Sequence, residues 1–134
     1  ILNLVHKESD SRNHKWLYDQ PSFDESAIVE INKILKKIGL ILSETNKNVN
    51  ALICYRQVDP HIDDKINVTN NSVVFIPLYG HEGAYFIWWA WENKKKIPIS
   101  DGSLVVFDQN TEHSVEFPSK AKIKFGLSFF VDRL

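Results

Sequence analysis

The feature that most constrains the fold is a series of short strand-like runs that fills the sequence from residue 51 onward. β-Branched and aromatic residues gather in runs such as ALICYRQV, AYFIWWAW, SLVVFD and AKIKFGLSFFV, with turn residues between them. Many short strands without intervening helices are typical of antiparallel sheets that pack face to face or close on themselves. The sequence therefore predicts a mainly β protein built as a sandwich or a small barrel.

One amphipathic helix precedes these strands. Apolar residues from Ala27 to Ile38 follow the i, i+3, i+4, i+7 spacing, and Gly39 is a stop signal. Ser22 and Glu25 have the spacing of a capping box at its start. We predict a helix over residues 24–38 on the outside of the sheet. We also predict a single domain for residues 1–134, with the barrel core over residues 51–132.

The composition excludes several classes of protein. Lys and Arg number 16 against 17 Asp and Glu, and a net charge of −1 argues against a nucleic-acid partner. Cys54 is the only cysteine, which excludes an internal disulfide and a zinc site built on several thiolates. No apolar run reaches the ~18 residues of a membrane span, and no signal peptide is recognisable. The sequence predicts a soluble, cytoplasmic protein, and it gives no indication of the oligomeric state.

The final strand can be divided into two faces, because successive strand side chains point to opposite sides. One set is apolar and suits the helix: Ile123, Phe125, Leu127, Phe129 and Val131. The other set is more polar: Lys122, Lys124, Gly126, Ser128 and Phe130. This second face either meets water or lines a barrel interior that holds an anion.

Three residues have the types and the order of a metal site. His61 and Asp63 share a face if they lie in one strand, and His113 opens a later strand. Two imidazoles and one carboxylate leave coordination positions open on Fe(II) for a co-substrate and dioxygen. On its own, however, the His-x-Asp pattern is also typical of surface polarity or of a cap.

Five segments resemble, in order and character, the core of the Fe(II)/2-oxoglutarate-dependent oxygenases, particularly the prolyl-hydroxylase-like branch. They are CYRQVDPHID, VVFIPLY, GAYFIWW, GSLVVFDQNTEHSVEF and KIKFGLSFFVD. The resemblance implies a double-stranded β-helix, a jelly-roll or cupin-like barrel, with His61, Asp63 and His113 as catalytic ligands of Fe(II). It also implies that dioxygen and 2-oxoglutarate are used to hydroxylate a C–H bond of a prolyl, peptidyl or small apolar substrate.

The main departure from this family concerns the residue that binds the far carboxylate of 2-oxoglutarate. The family has an arginine there, whereas this chain has Lys122 and Lys124, nine and eleven positions after His113. A lysine binds a carboxylate as a point charge, without the two-pronged match of a guanidinium. The count from His113 favours Lys122, and the alternative is a pair of solvated lysines. Tyr55 is a candidate contact to the co-substrate or a core tyrosine.

Several other residues receive a simpler interpretation. His81 lies between Gly80 and Gly83, which predicts a loop at the mouth of the pocket. Residues 92–96 are predicted to form the tip of a hairpin. Trp89 and Trp91 are predicted to share one face and Trp88 to take the other, mainly in the core or beside an apolar substrate.

Two further functions remain open on the same barrel. One is a cupin-like metal enzyme or sugar-binding module that does not use 2-oxoglutarate, which the absence of the expected arginine supports. The other is a binding or structural domain that retains the barrel without turnover.

Overall fold

In this computed structural model, the structure describes residues 14–16, 23–47, 49–54, 58–62, 72–117 and 123–134. These residues form the following elements: β1 (His14–Trp16), α1 (Glu25–Lys36), β2 (Leu40–Leu42), β3 (Val49–Cys54), β4 (Val58–His61), β5 (Ser72–Tyr79), β6 (Ala84–Ala90), β7 (Asn93–Ile99), β8 (Val105–Asp108), β9 (His113–Glu116) and β10 (Lys124–Arg133). Within these ranges no helix is long and apolar enough to cross a membrane, since α1 has 12 residues.

The strands form two antiparallel sheets. The larger sheet has the order β1-β3-β10-β5-β8, with β2 also paired to β10, and the smaller sheet has the order β4-β9-β6-β7. Most neighbouring strands are distant in the sequence, as β10 is from β3 and β5. The mainly β prediction with one outer helix is confirmed.

The helix begins one residue later and ends two residues earlier than predicted. Asp24 is its N-cap, and its carboxylate accepts the backbone N–H of Ala27 at 2.8 Å. The predicted capping box is therefore wrong, because Asp24 performs the role assigned to Ser22, a residue outside the described ranges. At the other end, residues 37–39 tighten into a turn in which Gly39 adopts a φ of 78°.

The helix packs on the face of β10 that the alternation predicts. Leu35 of α1 is buried with Leu40, Val74, Phe129 and Val131 in one apolar cluster. Burying a side chain of this size stabilises the fold by roughly 1.5–3 kcal/mol. This cluster fixes the apolar face of β10 outward, so that the lysine-bearing face is turned toward the smaller sheet.

A second apolar cluster fills the space between the two sheets. Its buried members come from β6, β7, β8 and the β9 region: Ala84, Phe86, Ile99, Val105, Val115 and Phe117. Phe75 of β5, Trp88 of β6 and Phe107 of β8 pack against them. This second cluster is the barrel interior, and the candidate site is built on its edges.

The hairpin between β6 and β7 is tighter than predicted. Ala90 pairs with Asn93, which leaves Trp91 and Glu92 as a two-residue turn, and Trp91 has the positive φ of 61° that such turns require. The prediction of a tip over residues 92–96 is wrong, because the lysines continue the ladder as part of β7. Trp91 therefore lies in the turn, almost fully exposed, and does not share a strand face with Trp89.

Candidate functional site

His113 lies on the inner face of β9 inside the barrel. His113 is 5% exposed and its ring contacts the Phe86 and Phe107 rings, with centroid distances of 5.6 and 4.4 Å. The two phenyl rings also contact each other. Val115 and Phe117 follow on the same face and belong to the interior cluster. The strand thus carries an imidazole at one end of an otherwise apolar interior.

The orientation of His113 is fixed by the backbone. Nδ1 lies 2.9 Å from the carbonyl oxygen of Thr111, and because a carbonyl can only accept, Nδ1 carries the proton. A neutral imidazole with this tautomer has its lone pair on Nε2. A hydrogen bond from the other ring nitrogen to a carbonyl is typical of histidines that bind metals.

A bulge in β4 brings His61 opposite His113. Val58 pairs with Val115 and His61 pairs with His113, so three steps along β4 match two steps along β9. The extra residue lies at Asp59–Pro60, in a strand that is the edge of the smaller sheet. Without it, Pro60 rather than His61 would be the register partner of His113.

His61 and His113 belong to a row of partners that crosses the whole smaller sheet. Trp88 of β6 is opposite His113, and Lys95 of β7 is opposite Trp88. Directly opposite residues in antiparallel strands share a face, with Cβ atoms about 4.5–5.5 Å apart. The prediction that Trp88 takes the face opposite Trp89 agrees with this register, and Trp88 packs on the interior cluster.

A pocket of about 310 Å³ opens beside this row, between the edges of the two sheets. Phe86, Trp88 and Phe107 form part of its wall, and two of these three rings also contact His113. Asp108 and Arg133 line the same pocket and form an exposed ion pair, with Oδ1 and Nη2 3.2 Å apart. The pocket is at the small end of the range for small-molecule sites and is mainly apolar.

Lys124 lies inside the barrel, which is one of the two alternatives that the alternation of β10 left open. Its side chain is 1% exposed, and Nζ lies 4.3 Å from the centroid of the Phe117 ring. Phe117 follows directly after β9 and lies four positions beyond His113, which corresponds to about 13 Å between their Cα atoms in extended chain. The barrel interior therefore has the row of His113 at one end and a lysine side chain at the other.

His81 joins Lys124 at that end. The prediction of a loop at the pocket mouth is wrong for its side chain, which is 2% exposed and packs on Phe75 and Phe117. Its Nδ1 and its backbone N–H both contact Oδ1 of Asp101, at 3.2 and 3.0 Å. Burial lowers the pKa of His81, an effect that Asp101 partly offsets and that Lys124 reinforces.

Gly80 allows Lys124 to come this close. It has a φ of 81°, and a Cβ at this position would lie 2.8 Å from the carbonyl oxygen of Ile123 and 3.2 Å from Cγ of Lys124. We expect Gly80→Ala to lower the free energy of unfolding by about 2–5 kcal/mol, because left-handed strain and overpacking add together. Chemical denaturation measures the change.

Gly102→Ala is the matched control for this prediction. Gly102 has a φ of 86°, yet a Cβ there would meet no described atom within 4 Å. The substitution should cost only the strain of the left-handed conformation, roughly 1–2 kcal/mol. Equal losses at both positions would contradict the steric role of Gly80.

Three of the predicted site residues, Asp63, Lys122 and Tyr55, lie outside the described residues. Within the described ranges, no group of three His, Cys, Asp or Glu side chains is arranged to hold a metal ion. The donor set nevertheless fits Fe(II) in its chemistry, because His61 and His113 are register partners and Asp63 follows His61 by two positions. Asp63 would complete the two-His, one-carboxylate set, and the assignment of all three as ligands stays a prediction.

The sequence matches no protein-family model and no curated protein. Solved structures do match the fold. A 2OG-Fe(II) oxygenase family oxidoreductase from Burkholderia pseudomallei is 12% identical, with a TM-score of 0.64 over 99% of this chain and 74% of that one. The Drosophila melanogaster CENP-C cupin domain is 10% identical, with a TM-score of 0.59 over 96% and 75%.

Hydroxypropylphosphonic acid epoxidase from S. wedmorenis is a further structural neighbour. It is 12% identical with a TM-score of 0.50, and the match covers 98% of this chain but 55% of the epoxidase. At such identities these likenesses show the fold alone. The chain has a cupin-like, double-stranded β-helix fold, which some neighbours use in oxygenases and another in a cupin domain.

Proposed function

We propose that the protein is an Fe(II)- and 2-oxoglutarate-dependent dioxygenase that hydroxylates a C–H bond of a peptide side chain or a small apolar molecule. The observation that carries the proposal is the position of Lys124, buried in the same barrel interior as His113 and on the Phe117 ring at the far end of β9. An ammonium in this position can bind one carboxylate of a dicarboxylate co-substrate as a point charge. The other end of such a co-substrate would lie at the metal end of the barrel.

Fe(II) bound by His61, Asp63 and His113 would supply the activation of dioxygen. In the overall reaction, one oxygen atom enters the substrate as a hydroxyl group and the other enters succinate. The two electrons that the substrate C–H bond does not provide come from the oxidative decarboxylation of 2-oxoglutarate, which releases CO₂. The protein's own contribution is to orient the ligands, exclude water and place charge.

Different residues of the chain orient the histidine ligand, exclude water and form the substrate pocket. The carbonyl of Thr111 holds His113 in the tautomer whose lone pair is on Nε2. Phe86 and Phe107 both contact the imidazole and help to keep His113 buried. The apolar pocket beside them is large enough for a side chain of the size of proline or leucine, and Trp88 forms part of its wall.

The proposal is tested by a spectrum taken without oxygen. Fe(II) and 2-oxoglutarate added together should produce a weak visible charge-transfer band, because the band requires both on the same metal. Glutarate, which lacks the 2-oxo group, should bind without producing the band. Admission of oxygen with candidate peptides should then release succinate.

A cupin-like metal site that does not use 2-oxoglutarate is the second candidate. It is favoured by the lysines that stand where an arginine is expected, and by a structural neighbour that is a cupin domain. Stoichiometric Fe(II) binding with neither the charge-transfer band nor succinate release would favour this function over the dioxygenase.

A further inference from the structure

The barrel interior holds a second buried polar group next to Lys124. His81 and Lys124 are 2% and 1% exposed, and they contact the same ring: the Phe117 centroid lies 5.2 Å from the His81 ring and 4.3 Å from Nζ of Lys124. Gly80, which precedes His81, packs directly on the backbone and side chain of Lys124. The two side chains therefore form one cluster, although they come from a turn and from a distant strand.

Asp101 contacts His81 from the solvent-exposed side of the cluster. Its carboxylate accepts the backbone N–H groups of Gly80 and His81 and lies 3.2 Å from Nδ1 of His81. The Asp101 side chain is 32% exposed, whereas the imidazole is buried. The ring edge that carries Nδ1 is thus held at the rim of the barrel. The ring also contacts Phe75 and Phe117 inside the barrel.

We propose that Lys124 and His81 together bind the far carboxylate of 2-oxoglutarate, so that two residues replace the guanidinium expected at this place. Lys124 supplies the charge and His81 supplies a second N–H donor. A carboxylate has two oxygens, and a single ammonium cannot match both with the fixed geometry of an arginine. This inference rests on the proposed function and adds His81, which the sequence pattern did not indicate, to the binding site.

Binding through His81 requires a proton. Nδ1 faces a carboxylate, which only accepts, so that a neutral His81 has its proton on Nδ1 and a lone pair on Nε2. A lone pair repels a ligand carboxylate, whereas a protonated Nε2 donates to it. The ligand should therefore bind together with one proton, and the imidazolium would then lie between two carboxylates.

The sign of the pH dependence follows from the charges around His81. In the ligand-free protein, burial lowers the pKa of His81 and Lys124 lowers it further, whereas Asp101 and a hydrogen bond to the backbone of Tyr79 raise it. A bound carboxylate adds a further group that raises it. The affinity for 2-oxoglutarate should rise as the pH falls through the pKa of the bound form, by up to about tenfold per pH unit, and level off below the pKa of the free form.

Anaerobic calorimetry of the Fe(II)-loaded protein tests this inference without measuring turnover. Titration with 2-oxoglutarate in buffers of different ionisation enthalpy measures the protons taken up on binding. We expect proton uptake in the wild-type protein and none in His81→Gln, which keeps a donor toward Asp101 but does not titrate. His81→Phe, which also removes the donor, should bind about tenfold more weakly at pH 6.

Glu82→Gln is the matched control, because Glu82 follows His81 in the same turn and is exposed. It should change neither the affinity nor the proton uptake. Histidine ring resonances, assigned with His81→Gln, give a second measurement: the His81 ring should shift when 2-oxoglutarate or glutarate is added.

The possible results separate this inference from the proposed function. If the wild-type protein binds 2-oxoglutarate and both His81 variants bind it with unchanged affinity and pH dependence, the two-residue site is wrong and the dioxygenase stands. If 2-oxoglutarate does not bind to the metal but glutarate shifts the His81 ring, the anion site stands without the dioxygenase. If neither ligand binds, both are wrong.

Discussion

Replacing His113 by glutamine should abolish tight Fe(II) binding. Glutamine is close to histidine in size and can take its place beside Phe86 and Phe107, but it offers no imidazole nitrogen to a metal. Loss of a residue that merely orients a ligand costs about 10–100-fold in metal affinity, so loss of a ligand should cost more than about 100-fold. Metal analysis of protein purified without oxygen, followed by Fe(II) titration, measures the effect.

His81→Gln is the control for this result, since it also removes a buried imidazole. His81 lies at the end of the barrel away from His113, and the variant should bind Fe(II) as the wild-type protein does. An unchanged metal content in His113→Gln would show that His113 is not a ligand. A loss of metal in both variants would indicate a general failure of folding.

Much of the fold could be predicted because the sequence repeats a simple local rule. In β10, every second residue belongs to one face, and this placed Phe129 against the helix and Lys124 on the opposite face, which the structure turns into the barrel. The rule requires only that the strand is extended. It therefore holds regardless of which elements the strand packs against.

Local signals were less reliable at the ends of elements. Ser22 and Asp24 are both good N-caps, and the spacing of a capping box does not decide between them. The lysines of residues 94–96 suggested an exposed turn, but an exposed edge strand tolerates the same charges. In both cases the residue types fit two structures, and tertiary pairing selected one.

The register of β4 could not be predicted from alternation, since alternation assumes an unbroken strand. Val58 and His61 have opposite parity in the sequence, yet both pair with inner-face residues of β9. A bulge at Asp59–Pro60 reconciles the two pairs. Proline is common at bulges and on edge strands, and it was the one available signal.

The sequence also predicted the wrong position for the His81 side chain, for a related reason. The flanking glycines correctly predict a turn, and turns usually lie at the surface. Here the turn is anchored to Asp101, which is distant in the sequence and belongs to the connection between β7 and β8. The signal that could have identified His81 is the positive φ of Gly80, which permits the close approach of Lys124 and is visible only in the structure.

Replacing Lys124 by methionine should weaken 2-oxoglutarate binding by at least about 30-fold and leave Fe(II) binding intact. Removal of one member of a buried charge pair costs about 2–5 kcal/mol of binding free energy. The metal is unaffected because Lys124 lies on Phe117, at the far end of β9 from His113. Anaerobic titration of the Fe(II)-loaded variant, followed through the charge-transfer band, measures the affinity.

The stability of the same variant distinguishes a binding role from a structural one. Thermal unfolding of the ligand-free Lys124→Met protein measures how much the ammonium stabilises the fold. Loss of 2-oxoglutarate affinity in a variant that still folds and binds Fe(II) indicates a binding role, whereas loss of both ligands together with a lower unfolding temperature indicates a structural one. Lys122→Met is the matched control and should retain 2-oxoglutarate affinity. If Lys122→Met weakens 2-oxoglutarate binding and Lys124→Met does not, Lys122 is the lysine that binds the co-substrate. If neither single variant nor the double variant changes the affinity, neither lysine supplies the charge that the proposed function requires. The cupin-like site without 2-oxoglutarate then takes the place of the dioxygenase.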